Sequence, residues 1–462
     1  MNTHSNSGLS LVQRILKAGT WTLAGYGAGQ LLRLISNLVM TRLLIPEMFG
    51  IMALSQVFLY IMTLISDIGI NHSIIRSTRG DEPAFLNTAW VVQIIRSMIV
   101  TAGVLIIAFC IYFLDNLGLI NQSSAFGNPQ LPIIIAVMSL SSAIGGFVST
   151  NVVLARRKLQ LGRITVLELI SQIIGIIIMV TWAYNDRSIW ALVVGTLATS
   201  IIFVILSHTA VPGLKNKFQW ESSAFWEIFH FGKWLMLSSI VTAFYVQGDR
   251  LFFGAYETAE VIGIYSIACF LSAAVQGILL KINNLVFYPI LSEIKRENGD
   301  NILYYYYRIR KNTDAISIFF AGLLFCSAGT IIEVIYDDRY LDASWMLAIL
   351  SLTLLFTGPI TSSVLMLAIG QPKFDVILRS LQLAVLFATL PFLYFQFGMY
   401  GAIWSAVIVA FCSALVDIAY RNKHDLVILK YELRMYPIVI LGYLAGLVLN
   451  EILLAIYEVC KS

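Results

Sequence analysis

The sequence predicts an all-α integral membrane protein. The expected architecture is two six-helix bundles, arranged as parallel repeats around a central cavity, plus an extra C-terminal helix. Three observations carry the membrane class. Of 462 residues, 58% are hydrophobic and 12% charged, about half the charge of a soluble globular chain. The mean hydropathy is +0.82. Apolar stretches of membrane-spanning length recur along the whole chain. A soluble multidomain enzyme, a disordered chain and a nucleic-acid binder are excluded by these values. The net charge of +4 is too small to argue for an anionic partner.

Apolar runs place the first six helices at about 18–44, 50–72, 87–113, 131–154, 163–184 and 188–208. The second six fall at about 232–254, 261–289, 313–335, 343–369, 374–396 and 399–419, and a thirteenth at about 437–457. Residues 1–17 then form a cytoplasmic N-terminal segment, 18–208 the first bundle and 209–231 a cytoplasmic linker. The second bundle is 232–419, and 420–462 is a C-terminal segment holding the thirteenth helix. Residues 1–10 are polar and no A-x-A-like site follows the first apolar run, so that run reads as an uncleaved helix.

Lys and Arg set the orientation. With the N-terminus inside, 23 of the 30 fall on the inner side, Arg308, Arg310, Lys311, Arg379, Arg421 and Arg434 among them. Three fall outside (Arg187, Arg339 and Lys461) and four within spans (Arg33, Arg42, Arg96 and Arg250). The positive-inside rule therefore puts the N-terminus in the cytoplasm. The longest outer connection, 115–130, is too short for a catalytic domain.

The two halves resemble each other. Trp21 and Gly50 lie 29 apart, as do Trp234 and Gly263, and each unit ends in an acid followed by Gly-Ile: Glu47…Gly50-Ile51 and Glu260…Gly263-Ile264. Six helices per unit make both units enter from the same side, so the repeats are parallel.

Polar residues inside the spans fall at helical spacing. Tyr26, Gln30, Arg33, Asn37 and Thr41 step by 4, 3, 4 and 4, forming one face. Gln56, Tyr60, Thr63 and Asp67 repeat the pattern on the second helix. Ser238, Thr242, Tyr245 and Asp249 do so on the seventh, and Tyr265, Cys269, Ser272, Gln276 and Asn283 on the eighth. Stripes on the first two helices of each repeat point to one shared cavity. Tyr26, Gln30, Arg33, Asn37, Gln56, Tyr60, Arg96, Tyr245 and Gln276 are its candidate substrate-binding residues.

Arg33 is the sharpest of these. A cation near the middle of a span costs about 2.5–3.5 kcal/mol even on a lenient scale. Two readings stand: an anchor for an anionic headgroup, or a buried pair with Asp67 or Glu168. For Arg96, a cavity position stands beside a pair with Glu168. Arg42 and Arg250 sit near helix ends, where snorkelling explains them. Asp67 and Asp249 are coupling-ion candidates, or are satisfied by a neighbouring Arg. Tyr304 to Tyr307 read as an interfacial aromatic belt.

Other chemistry is not signalled. There is no GxxxxGK[ST] loop, and the five His form no HExxH pair. The five Cys show no CxxC spacing. No catalytic residue, metal or cofactor is expected.

Several segments carry a family resemblance: Thr41-Arg-Leu-Leu-Ile-Pro-Glu-Met-Phe-Gly50, Asp67-Ile-Gly-Ile70, Phe231-Gly-Lys-Trp234 and Asp249-Arg-Leu-Phe-Phe-Gly254. Gly263-Ile-Tyr-Ser-Ile-Ala268, Phe287-Tyr-Pro-Ile-Leu291 and Leu86-Asn-Thr-Ala-Trp90 complete the set. Across about 10–430 the chain resembles the polysaccharide transporter family of the multidrug/oligosaccharidyl-lipid/polysaccharide exporter superfamily, which includes the O-antigen and exopolysaccharide repeat-unit flippases. The resemblance implies a bacterial inner-membrane flippase working by alternating access on oligosaccharide linked to polyprenyl diphosphate. Membrane lipid, a polysaccharide polymerase and chain-length proteins are its implied partners. Physics agrees: each unpaired sugar hydroxyl costs roughly 4–8 kcal/mol to move into hydrocarbon, so the headgroup needs a hydrated path. The rivals are a multidrug/cation antiporter of the same superfamily, a peptidoglycan-precursor flippase, and a membrane-embedded polysaccharide polymerase or ligase.

Overall fold

The computed structural model describes residues 11–297, 302–371 and 373–461. Residues 1–10 and Ser462 lie outside these, as do the side chains of Lys233, Trp234 and Ser238. The helices are, in order, α1 (Leu11–Leu43), α2 (Pro46–Ile65), α3 (Ile70–Arg76), α4 (Pro83–Asn116), α5 (Leu131–Gly145) and α6 (Asn151–Arg157). Then come α7 (Leu161–Asn185), α8 (Trp190–Thr209), α9 (Ser222–Tyr256), α10 (Ala259–Ile282), α11 (Tyr288–Glu297) and α12 (Ile302–Ile335). The last are α13 (Ala343–Ser351), α14 (Gly358–Ala368), α15 (Lys373–Asn422), α16 (Leu429–Leu433) and α17 (Ile438–Lys461).

Among the described residues, nine helical stretches are long and apolar enough to cross a membrane. The other expected spans are present as helices with different composition or continuity. α1 and α9 have 33 and 35 residues, but their polar stripes dilute the apolar run. α5 has 15 residues. α15 joins two expected spans at Gly398, whose φ of +63° turns the chain. A Cβ on Gly401 would stand 2.4 Å from the Leu393 carbonyl oxygen, so the two halves of α15 fold back tightly.

Several expected helices are interrupted. The second stops at Ile65, and α3 begins after Gly69, which is left-handed at φ +62°. The Asp67 carboxylate accepts the Gly69 N–H at 3.0 Å. The fourth breaks between Gly145 and Asn151. There the Gln93 amide donates to the freed carbonyls of Gly146 and Val148 at 2.9 and 3.0 Å, which makes non-helical backbone tolerable at that depth. The eighth passes through a π-turn at Asn283–Phe287. The 209–231 linker is shorter than expected, because α9 starts at Ser222.

By contacts the chain divides into two compact units. Of the described residues, the first holds those within 11–44, 51–243 and 253–258; the second holds those within 45–50, 244–252 and 259–461.

In the first unit, α4 runs 34 residues, about 50 Å at helical rise. At its C-terminal end the Ala125 N–H donates to the Glu257 carbonyl at 2.7 Å. Its N-terminal end is the basic end. There the Leu86-Asn-Thr-Ala-Trp90 segment fastens the linker. Asn87 accepts the Lys217 N–H at 3.0 Å and donates to Gln219 at 3.0 Å, while Thr88 accepts the Glu221 N–H at 3.0 Å. The Trp90 ring packs on Phe218 at 4.9 Å. Arg79 adds an ion pair to Glu221 at 2.7 Å, and Arg157 donates to the carbonyls of Ile74 and Ser77.

In the second unit, α17 lies along α12 through small residues. A Cβ on Gly322 would stand 2.2 Å from the Val439 carbonyl oxygen, and one on Gly442 2.0 Å from that of Phe319. Such glycines let membrane helices approach backbone to backbone. The opposite face of α17 presents Ile440, Leu444, Val448 and Ile452 outward, as a lipid-facing surface does.

Candidate functional site

In the first unit the α2 stripe is an open face. Gln56, Tyr60 and Thr63 are exposed, while Leu54, Val57 and Ile61 are buried behind them. On α1, Tyr26, Gln30 and Asn37 are half-buried and Arg33 is exposed. Gln30 donates to the Tyr26 hydroxyl at 2.6 Å. α7 fixes the register of α1, since Gln172 donates to the Gly29 carbonyl at 3.2 Å.

Neither acid proposed as a partner for Arg33 is held by it. Asp67 lies 3.9 Å from Arg96, and Glu168 lies 3.1 Å from Arg156. Among the described residues Arg33 has no ion pair.

Arg96 is differently employed, and the expected pair with Glu168 is not formed. Its guanidinium donates to the Ser66 carbonyl at 3.0 Å, the Ser66 hydroxyl at 3.2 Å and the Thr63 carbonyl at 2.7 Å. These groups are at the frayed C-terminus of α2, where carbonyls lack helical partners and the dipole favours a cation. Arg96 is a helix cap with Asp67 beside it.

The second unit treats its stripes differently. On α10, Tyr265 and Ser272 are buried. Ser272 donates to the Leu350 carbonyl at 3.3 Å and Gln276 to Thr353 at 3.1 Å. Leu350 belongs to the last turn of α13 and Thr353 to the 3-10 turn at Leu352–Phe356 that follows it. Two members of the stripe expected to line a cavity, Ser272 and Gln276, are thus bonded to the tenth span. On α9, Asp249 accepts from Tyr265, and the Tyr245 ring carries the Arg379 guanidinium at 5.8 Å. Arg250 does not snorkel freely; it is half-buried and donates to Gln247 at 3.0 Å.

The largest departure from the expected charge map is a buried cluster. Arg310 and Arg421, expected at the inner surface, are 7% and 0% exposed. Arg421 pairs with Asp417 at 2.8 Å and Glu432 at 2.7 Å. Arg310 pairs with Asp314 at 2.9 Å and Glu432 at 2.7 Å. Burial pushes the Glu432 carboxyl up, but Arg310 and Arg421 outweigh it and hold it below its ordinary range. The aromatic-belt reading fails for Tyr306 and Tyr307, which are buried in the cluster, while Tyr304 and Tyr305 are 61% and 39% exposed. No sequence signal marks this assembly, because Glu432 comes from a separate short helix.

Comparison with known proteins gives the setting. A family model described as "Polysaccharide biosynthesis protein" matches residues 39–345. A Shigella flexneri protein named "Putative O-antigen transporter" is 22% identical over 415 residues, covering 86% of this chain and 95% of its own. The fold is similar to that of the lipid II flippase MurJ in an inward closed conformation, with TM-score 0.68, 15% identity and coverage of 96% and 98%. A Vibrio cholerae MATE transporter matches with TM-score 0.58, 15% identity and coverage of 90% and 98%.

Proposed function

The chain belongs to the family of polysaccharide biosynthesis proteins, polysaccharide transporters of the multidrug/oligosaccharidyl-lipid/polysaccharide exporter superfamily, and from that premise we propose a lipid-linked oligosaccharide flippase. It moves repeat units on polyprenyl diphosphate from the inner to the outer leaflet of the cytoplasmic membrane by alternating access. It performs no bond chemistry itself, and its N-terminus is cytoplasmic. A polymerase and chain-length proteins take over the product outside. Asp67 and Asp249 are the coupling-ion candidates.

The observation that carries this reading is Arg33. It is exposed on the Tyr26-Gln30-Arg33-Asn37 face and without an ion pair among the described residues. A guanidinium in that position suits a diphosphate, which it can meet bidentately. A cation antiporter would want the reverse polarity, and Asp67 lies beside Arg96.

The test is Arg33→Ala beside Arg33→Lys. Arg33→Ala should stop export and accumulate lipid-linked repeat unit at unchanged protein level. Arg33→Lys keeps the charge without the planar fork and should export partly. Losing one charged contact is worth about 1.5–3 kcal/mol. Full export by Arg33→Ala, or disappearance of the protein from the membrane, removes the anchor. Orientation is checked separately: reporters after Phe126 and Glu257, which lie at one end of the first unit, should both read outside.

A further inference from the structure

A cavity of about 220 Å³ opens beside the buried ion cluster, walled by the start of α12 and by the segment 428–435. Four cations line it: Arg308, Arg310, Lys311 and Arg434. Asp314 is its one acid, and it holds Arg310 at 2.9 Å. Arg308, Lys311 and Arg434 are exposed and form no ion pair among the described residues. The cluster behind them sets two guanidiniums against three carboxylates. The three free cations outweigh that single surplus negative charge.

The wall is held in place. Glu432 accepts from Tyr307, Arg310 and Arg421 at 2.7–2.8 Å, and the Ile428 N–H donates to the Tyr307 hydroxyl at 2.8 Å. The Tyr307 and Tyr431 rings stack at 5.2 Å. The site is therefore rigid on the side that carries Arg434.

Its lining is bipartite. Leu303, Ile428 and Met435 supply an apolar side next to the cations, and exposed Tyr304 stands at its edge, where aromatic side chains mark a bilayer interface. The volume is below the roughly 300–1,000 Å³ of pockets that enclose a whole small molecule. A charged headgroup fits, with its hydrocarbon left outside. Basic pockets between membrane helices bind lipid headgroups in this way.

We propose that this cavity is a binding site for the phosphate headgroup of an anionic lipid. Lys311 and Arg434 hold the phosphate, and Leu303, Ile428 and the tyrosine rings take the first part of the stem. Two lipids share that chemistry, a bilayer phospholipid and the polyprenyl diphosphate carrier. The site needs no transport step, so it stands apart from the flippase reading.

Full-length protein, delipidated in detergent, should be titrated with phosphatidylglycerol and followed by native mass spectrometry. The wild type should retain phosphatidylglycerol and release phosphatidylcholine. Lys311→Gln with Arg434→Gln changes exposed side chains only, and should bind phosphatidylglycerol about 25-fold more weakly, two surface cations' worth. Displacement by polyprenyl diphosphate at lower concentration makes the carrier the occupant; displacement by phospholipids alone makes it a bilayer lipid. Either supports the site. Equal binding by the double variant, equal retention of phosphatidylcholine, or saturation by inorganic phosphate at the same concentration overturns it.

Discussion

Within the second unit, Gly50 and Gly263 each mark a close backbone approach between the segments 45–50 and 259–263, in the same register. A Cβ on Gly50 would stand 1.7 Å from the Ala259 carbonyl oxygen, and a Cβ on Gly263 2.0 Å from that of Pro46. Each blocking carbonyl belongs to the residue four before the partner glycine, so the contact reads alike in both directions, as in a two-fold pair. Both glycines lie in the second unit. The matched Glu47…Gly50 and Glu260…Gly263 segments are therefore physical partners as well as sequence equivalents.

Gly50→Ala and Gly263→Ala should each force the two backbones apart, and by the symmetry of the contact should do so equally. Overpacking of this kind costs about 1–3 kcal/mol. Thermal unfolding of the purified protein measures it, with polysaccharide export as the functional readout. If alanine at either position leaves both unchanged, the close approach is wrong.

Arg96→Leu should behave as the loss of a cap. Three donated bonds to the end of α2 disappear, and bonds from a charged donor are worth about 1.5–3 kcal/mol each. Lower melting with reduced membrane level is expected. Asp67→Asn, which touches Arg96 only at 3.9 Å, should melt within about 1 kcal/mol of wild type. A stable Arg96→Leu protein that merely fails in transport would return Arg96 to the substrate face.

Glu432→Leu should be among the most damaging single changes. It strips a shared partner from Arg310 and Arg421, both buried. Breaking a buried pair by removing one member costs about 3–5 kcal/mol. Protein yield and melting temperature report it. Normal values for both would mean that the cluster is solvated.

The linker clasp should respond to acid. Hydrogen bonding from Ser223, then from Arg79, holds the Glu221 carboxyl below its ordinary 4.5. A lowered folded value contributes stability that is full above 4.5 and is lost as pH falls through the folded value. Proteolysis within 210–221 should therefore accelerate below pH 4.5, and Glu221→Gln should show that susceptibility already at neutral pH. A pH-independent cleavage rate would contradict the clasp.

The sequence made much of the fold legible, and residue chemistry decides where legibility ended. Helical period placed Gln56, Tyr60 and Thr63 on one face, and that face is open. The same period on α10 could not show that Ser272 meets the end of α13, 78 residues later, and Gln276 the 3-10 turn after it, 77 residues later. Arg310 and Arg421 sit in polar, Tyr-rich or post-span sequence, so the positive-inside count took them for surface charges. Their burial depends on Glu432, which lies 122 and 11 residues away. The interruption at Gly69 had a local sign in Asp67-Ile-Gly. The one after Gly145 depended on Gln93 arriving from another helix.

The Glu432 cluster also imposes an order of events during synthesis. The ribosome delivers Arg310 and then Arg421 before Glu432 exists, so Arg310 has only Asp314 and Arg421 only Asp417 among these partners. The two arginines can share a carboxylate only once the short α16 has emerged. The nascent second unit is therefore obliged to wait for a late-arriving acid before it can set, and a released chain truncated between Asn422 and Leu429 should insert yet stay protease-sensitive.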